Sequence, residues 1–75
     1  MEKPVDYYLS LPYIIQVVHE EDGWFAAVKD LPGCMTYADT WDELGAMIED
    51  AMRGWIEVQL EDGRLIPEPV GILHK

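Results

Sequence analysis

Residues 28–43 read Val-Lys-Asp-Leu-Pro-Gly-Cys-Met-Thr-Tyr-Ala-Asp-Thr-Trp-Asp-Glu, and they hold a turn, a short strand and a helix start. Asp30-Leu31-Pro32-Gly33 ends one strand and reverses the chain. Proline fixes φ near about −65°, and glycine accepts the positive φ that a type II turn places next. Residues 34–37 include β-branched and aromatic members and read as the following strand. Thr40-Trp41-Asp42-Glu43 then has the spacing of a capping box. The threonine hydroxyl accepts from the Glu43 N–H, and the Glu43 carboxylate reaches back to the Thr40 N–H. A helix beginning at Trp41 follows.

Downstream, Leu44, Met47, Ile48, Ala51, Met52, Trp55 and Ile56 recur at spacings of three and four, which predicts a helix from Trp41 to about Glu61. Glu49 and Arg53 form an i, i+4 pair in the favourable orientation on its polar side. Gly45 and Gly54 lie in the helix interior, where each costs roughly 1 kcal/mol against alanine, and close packing is the expected reason for them. Asp62-Gly63 supplies a C-terminal cap. Pro67 and Pro69 keep residues 65–70 out of a central strand and make them an edge segment or an arm.

Upstream, residues 24–29 form the strand that enters the turn, and residues 13–20 form another, dense in β-branched side chains. Glu21-Asp22-Gly23 joins the two as a hairpin, with Gly23 expected in the left-handed position. Connections this short make the three strands an antiparallel meander. Alternation places Tyr13, Ile15, Val17 and His19 on one face of the first strand, and Ile14, Gln16, Val18 and Glu20 on the other. The second strand sets Trp24, Ala26 and Val28 against Phe25 and Ala27. Neither face is cleanly polar, and one helix covers one face, so a partly apolar face is left open. Asp6 is a candidate cap for a single helical turn that ends before Pro12, with an extended segment as the rival reading. The fold class is therefore α+β: a three-stranded antiparallel sheet on one long helix, with a short N-terminal helix.

Seventy-five residues make one domain, with residues 1–5 and 70–75 expected as tails. A domain this small buries only about 60% of the surface of its unfolded chain. It has one cysteine, Cys34, and no cluster of metal ligands to act as a staple, so oligomerisation or a partner is the expected support. A lone cysteine fits a reducing compartment. No leader-like segment and no apolar run of the roughly 18 residues a span requires is visible. The expectation is a soluble cytoplasmic protein that does not associate with membranes.

Fifteen acidic against five basic side chains give a formal charge of −10. Nucleic-acid affinity comes mostly from cationic side chains releasing counterions, so no direct nucleic-acid binding is expected. Solubility explains the charge as an ordinary property, and a basic protein partner explains it as a functional one. No catalytic constellation is present. His19 and His74 have no nucleophile or carboxylate at a catalytic spacing, and Cys34 reads as a small buried hydrophobe. Glu20-Glu21-Asp22-Gly23 lacks the alternating ligand positions of a calcium loop. Neither a metal nor a cofactor is expected. A nuclease using two metal ions ranks last, since it needs several carboxylates converging at one spot.

The order and spacing of several segments resemble the HicB-like antitoxin family. They are Tyr7-Tyr8-Leu9-Ser10-Leu11-Pro12-Tyr13, the hairpin ending at Gly23, Asp30-Leu31-Pro32-Gly33-Cys34, Thr40 with Glu43, Trp55-Ile56-Glu57, and Glu61-Asp62-Gly63 followed by Ile66-Pro67-Glu68-Pro69. The resemblance covers residues 7–69. It implies a truncated RNase-H-like fold without the metal site, self-association as dimers or tetramers, and neutralisation of a small basic HicA-type mRNA-cleaving toxin. Many members continue into a C-terminal DNA-binding domain. This sequence reads as a short stand-alone member without one.

The leading reading is a non-catalytic, acidic protein-binding domain of the HicB type. Its candidate partner-binding residues are Asp30, Leu31, Pro32 and Gly33 at the turn, with Asp39 and Asp42 near the helix start. The alternative is a stand-alone homo-oligomeric domain with a regulatory role and no toxin.

Overall fold

A computed structural model describes residues 3–69 of the chain. The elements run α1 (Val5–Leu9), β1 (Ile15–Glu20), β2 (Gly23–Val28), β3 (Met35–Ala38) and α2 (Trp41–Glu61). The strands form one antiparallel sheet in the order β1-β2-β3. The fold is α+β, as the sequence predicts.

The turn that opens the decisive stretch is a type II turn. Cys34 N–H donates to Leu31 O at 2.9 Å, and Gly33 takes φ 83°. Thr40 caps α2 by accepting from the Glu43 N–H at 3.2 Å. At the other end, Gly63 N–H donates to Leu60 O and Arg64 N–H to Gln59 O, with Gly63 at φ 69°, which is the Schellman pattern of bonds.

Helix α2 lies on the face of the sheet that carries Trp24, Ala26 and Val28 of β2. Two buried clusters result. Ala26, Ala38 and Leu44 pack under its N-terminal half. Val28, Leu31, Cys34, Met52 and Ile56 pack under the remainder, where Tyr8 of α1, Tyr13 and Ile66 close the core from the side. Leu31 and Ile56 have no exposed surface at all. The segment after α2 is an arm rather than a strand: Ile66 is buried, and the Tyr13 hydroxyl donates to Pro67 O. Burial pushes the Tyr13 phenol up to about 12, with the Glu68 carboxylate adding to the shift.

Several expectations need correction. Asp6 lies inside α1, whose N-cap is Pro4, and instead pairs with Arg53 at 3.5 Å. Val5 begins that helix rather than belonging to a tail. Gly23 does not adopt a positive φ, because the hairpin closes on Glu21-Asp22 alone with Gly23 already paired to Glu20. Its need for glycine is steric: a Cβ there would lie 2.5 Å from Ala38 O and 2.9 Å from Tyr37 Oη. Gly45 and Gly54 are not in close contact with anything, since nothing lies within 4 Å of an added Cβ. Met47 of the expected core stripe is exposed. Val70 and His74 lie outside the described residues.

Candidate protein-binding surfaces

Every residue of β1 is exposed, whereas β2 has three buried positions and no exposed one. Helix α2 packs on β2 and β3, and its backbone stays clear of β1. The reason is width. A helix with its side chains is about 10 Å across and strands lie about 4.8 Å apart, so one helix covers about two strands.

Two apolar surfaces remain open. On the helix side, Ile15 and Val17 of β1 face Trp41, Leu44, Gly45 and Ile48 of α2 across a groove of about 470 Å³, with Asp42 at its rim. Trp41 is 59% exposed there. It tilts against Trp24 at 4.8 Å between ring centroids, and Trp24 stacks flat on His19 at 3.9 Å. On the opposite face, Ile14, Val18, Met35 and Tyr37 are exposed beside the half-buried Phe25 and Ala27.

The carboxylates gather at one end of this sheet. The registers set the end of β1, the hairpin and the end of β3 side by side, so Glu20, Asp22 and Asp39 share one end of the sheet. The Tyr37 phenol is raised first by loss of solvent and then by the charges of Asp22, Glu20 and Asp39. Asp42 follows in the first turn of α2, where the helix dipole favours a negative charge. The cations are placed differently. Lys3, Arg53 and Arg64 each pair with a carboxylate, namely Glu68, Asp6 with Glu49, and Asp62. None of those pairs involves an acid of the sheet end. Among the described residues no ion pair reaches Glu20, Asp22, Asp39 or Asp42, and the apolar groove with its exposed tryptophan opens beside them.

The six candidate residues fall into two groups. Asp39 and Asp42 are exposed and belong to the acidic end. The turn lies elsewhere, because Trp55 Nε1–H donates to Pro32 O at 2.9 Å and holds the turn against the C-terminal half of α2. At 1.5 Å per residue, Trp55 is about 20 Å along the helix from Asp42. Within the turn, Leu31 is fully buried and anchors it from beneath, Asp30 is half-buried, and Pro32 and Gly33 are exposed. Sequence reasoning missed Trp41, Trp24, Glu20 and Asp22 as members of one surface. The signal existed: Trp41, Leu44 and Ile48 continue the helical spacing backwards, and the hairpin register puts His19 opposite Trp24.

Cys34 is buried, and burial pushes its thiol up, away from the reactive thiolate. Among the described residues, no three His, Cys, Asp or Glu side chains converge as a metal site requires. None of the described helices is long and apolar enough to cross a membrane.

The chain is 35% identical over 60 residues to a protein of Photorhabdus laumondii subsp. laumondii named Antitoxin HicB 2, a match that covers 80% of this chain and 43% of the relative. It therefore spans less than half the length of that antitoxin. It is also 36% identical over 59 residues to a UPF0150 protein of Archaeoglobus fulgidus, covering 75% of this chain and 86% of the other. The family model described as the HicB-like antitoxin of bacterial toxin-antitoxin systems matches residues 11–74. That match takes in the whole sheet, the decisive turn, the capped helix and the arm: the chain belongs to the HicB-like antitoxin family.

Proposed function

We propose that this chain is a non-catalytic, acidic binding protein that neutralises a small basic HicA-type mRNA-cleaving toxin by covering its cationic RNA-binding surface. The observation that carries this reading is the acidic end of the sheet, where Glu20, Asp22, Asp39 and Asp42 lie near the exposed Trp41 and, among the described residues, form no ion pair. Complementary charge steers encounter, and an exposed tryptophan over an apolar groove supplies the anchor that holds the complex. Pro32 and Gly33, on the separate turn, form a second and smaller contact. On this reading the sheet and long helix correspond to a truncated RNase-H-like arrangement.

The test is co-expression with a basic toxin encoded beside this chain, followed by co-purification and an RNA-cleavage assay. A complex that forms at low salt and silences cleavage is expected. Joint replacement Asp39→Asn and Asp42→Asn should weaken it about tenfold, mainly through slower association and with less dependence on salt. Failure of the two proteins to co-purify at low salt overturns the reading.

A second reading concerns self-association, as dimers or tetramers. The exposed β1 and the apolar outer face favour it, because a domain this small gains stability by covering such surfaces.

A further inference from the structure

Among the described residues, the edge of β1 that faces away from β2 carries a specific pattern of unpaired hydrogen-bonding groups. Lys29 N–H donates to Ile14 O at 2.9 Å, which fixes the phase of the β1–β2 ladder. With Ile15 opposite Val28 and Val17 opposite Ala26, the residues exchanging bonds with β2 are Ile14, Gln16, Val18 and Glu20. The N–H and C=O groups of Ile15, Val17 and His19 therefore point away from β2. Among the described residues, no strand pairs with that edge.

Exposed edges are ordinarily blunted by lysine, proline, a bulge or an inward charge. Strand β1 shows none of these: its register is regular, and from Tyr13 to Val18 it carries no charge. This gap is informative in a chain of charge −10. A copy of the same chain is repelled by the acidic surfaces but meets no repulsion along β1.

We infer that β1 pairs antiparallel with β1 of a second copy, joining two three-stranded sheets into one of six strands. The inference rests on the self-association reading and specifies its surface. Only edge-facing residues can exchange bonds, and the register that overlaps the whole strand is centred on Val17. It sets Val17 opposite Val17, Ile15 opposite His19, and Ile14 opposite Glu20. The two Glu20 side chains then stand about 20 Å apart along the strands, at roughly 3.3 Å per residue, which is about two Debye lengths. The two-fold axis of such a pair is perpendicular to the sheet, so both copies of α2 lie on the same face. Among the described residues, each groove beside Trp41 has β1 as its floor and α2 as its one wall. The second copy supplies more floor and the facing wall, so the groove is complete only in the dimer.

Hydrogen exchange of the full chain, read residue by residue by NMR alongside light-scattering mass, tests this. The expected mass is twice 8.6 kDa or a multiple of that. The Ile15, Val17 and His19 amides should be protected at least about 100-fold, with protection falling on dilution. Val17→Pro removes an N–H that β2 does not use, so it should return the mass to 8.6 kDa with the circular dichroism spectrum unchanged. Val17→Ala should remain associated. If Val17→Pro fails to fold, the wild-type exchange pattern decides alone. A dimer whose three amides exchange freely overturns the edge pairing while leaving self-association standing. A monomer overturns both, and a monomer with these amides protected would place another part of the same chain on the edge.

Discussion

Strands β1 and β2 are neighbours of equal length, yet β2 lies in the core and β1 is exposed throughout. Composition separates them only in part: β1 carries Gln16, His19 and Glu20, and β2 adds Trp24 and Phe25. Ile15, Val17 and Val18 are at least as hydrophobic as Ala26, Ala27 and Val28. What separates them is position in the sheet relative to a single helix wide enough for two strands. The difference teaches that the open apolar surface follows from the architecture: three strands, one helix and a helix width of about 10 Å leave one strand uncovered whichever edge it is. The family match spans this open surface, since residues 11–74 take in the whole of β1.

The comparison breaks first where burial is deepest. Ile56 has no exposed surface and joins α2 to Leu31 and Val28, so Ile56→Ala should cost about 2–5 kcal/mol in transfer and cavity terms. Val18→Ala, on the open outer face of β1, should cost less than about 1 kcal/mol, because that side chain is 50% exposed. Urea denaturation of both variants measures the gap. Equal costs would mean that β1 is buried in the working protein much as β2 is.

This contrast also marks what was legible in the sequence. Every element came from local signals: the Pro32-Gly33 turn, the Thr40 cap and the spacing from Leu44 to Ile56 each act within a few residues. The boundaries of α2 match the reading at both ends, because both ends carry explicit caps. The candidate surface was less legible, since it depends on which residues distant in sequence become neighbours. Asp39 and Asp42 are marked by their position near the helix start, but their companions Glu20 and Asp22 arrive through the hairpin register. Leu31 reads as part of its turn, and only the packing shows its side chain facing inward. The steric reason for Gly23 is not legible, because close approach to Ala38 and Tyr37 leaves no mark in its own vicinity of sequence.

A smaller effect is expected where the core meets the arm. The Tyr13 hydroxyl donates to Pro67 O, and Tyr13→Phe removes that donor at a cost of about 0.5–1.5 kcal/mol, since the exposed Pro67 carbonyl can turn to water instead. The phenol titrates at about 12 in the folded protein against an ordinary value of 10.0, so folding favours the protonated form. Its contribution is fully present below pH 10.0 and is lost as pH rises towards about 12. Denaturation of the wild type and Tyr13→Phe across that interval should show the difference between them shrinking. A difference that stays constant up to pH 12 would assign the cost to packing rather than to the hydroxyl.

The smallest expected effect has the opposite sign. Gly45 and Gly54 lie in the interior of α2, exposed, with nothing within 4 Å of an added Cβ. Alanine is favoured over glycine in a helix interior by about 0.8–1.0 kcal/mol, because glycine loses more backbone freedom on folding. Gly54→Ala and Gly45→Ala should each raise stability by nearly that amount, which for a domain of this size is about 4–8 °C in the thermal midpoint. The two positions differ in one respect that sharpens the comparison of covered and uncovered regions. Gly45 lines the groove beside Ile15 and Trp41, whereas Gly54 does not. If that groove stays open to water, both variants gain equally. If it is filled by a second copy or a toxin, Gly45→Ala adds a methyl to a closed interface. It then gains less than Gly54→Ala and loosens the complex, because backbone entropy and the fit of the groove pull in opposite directions at that one position.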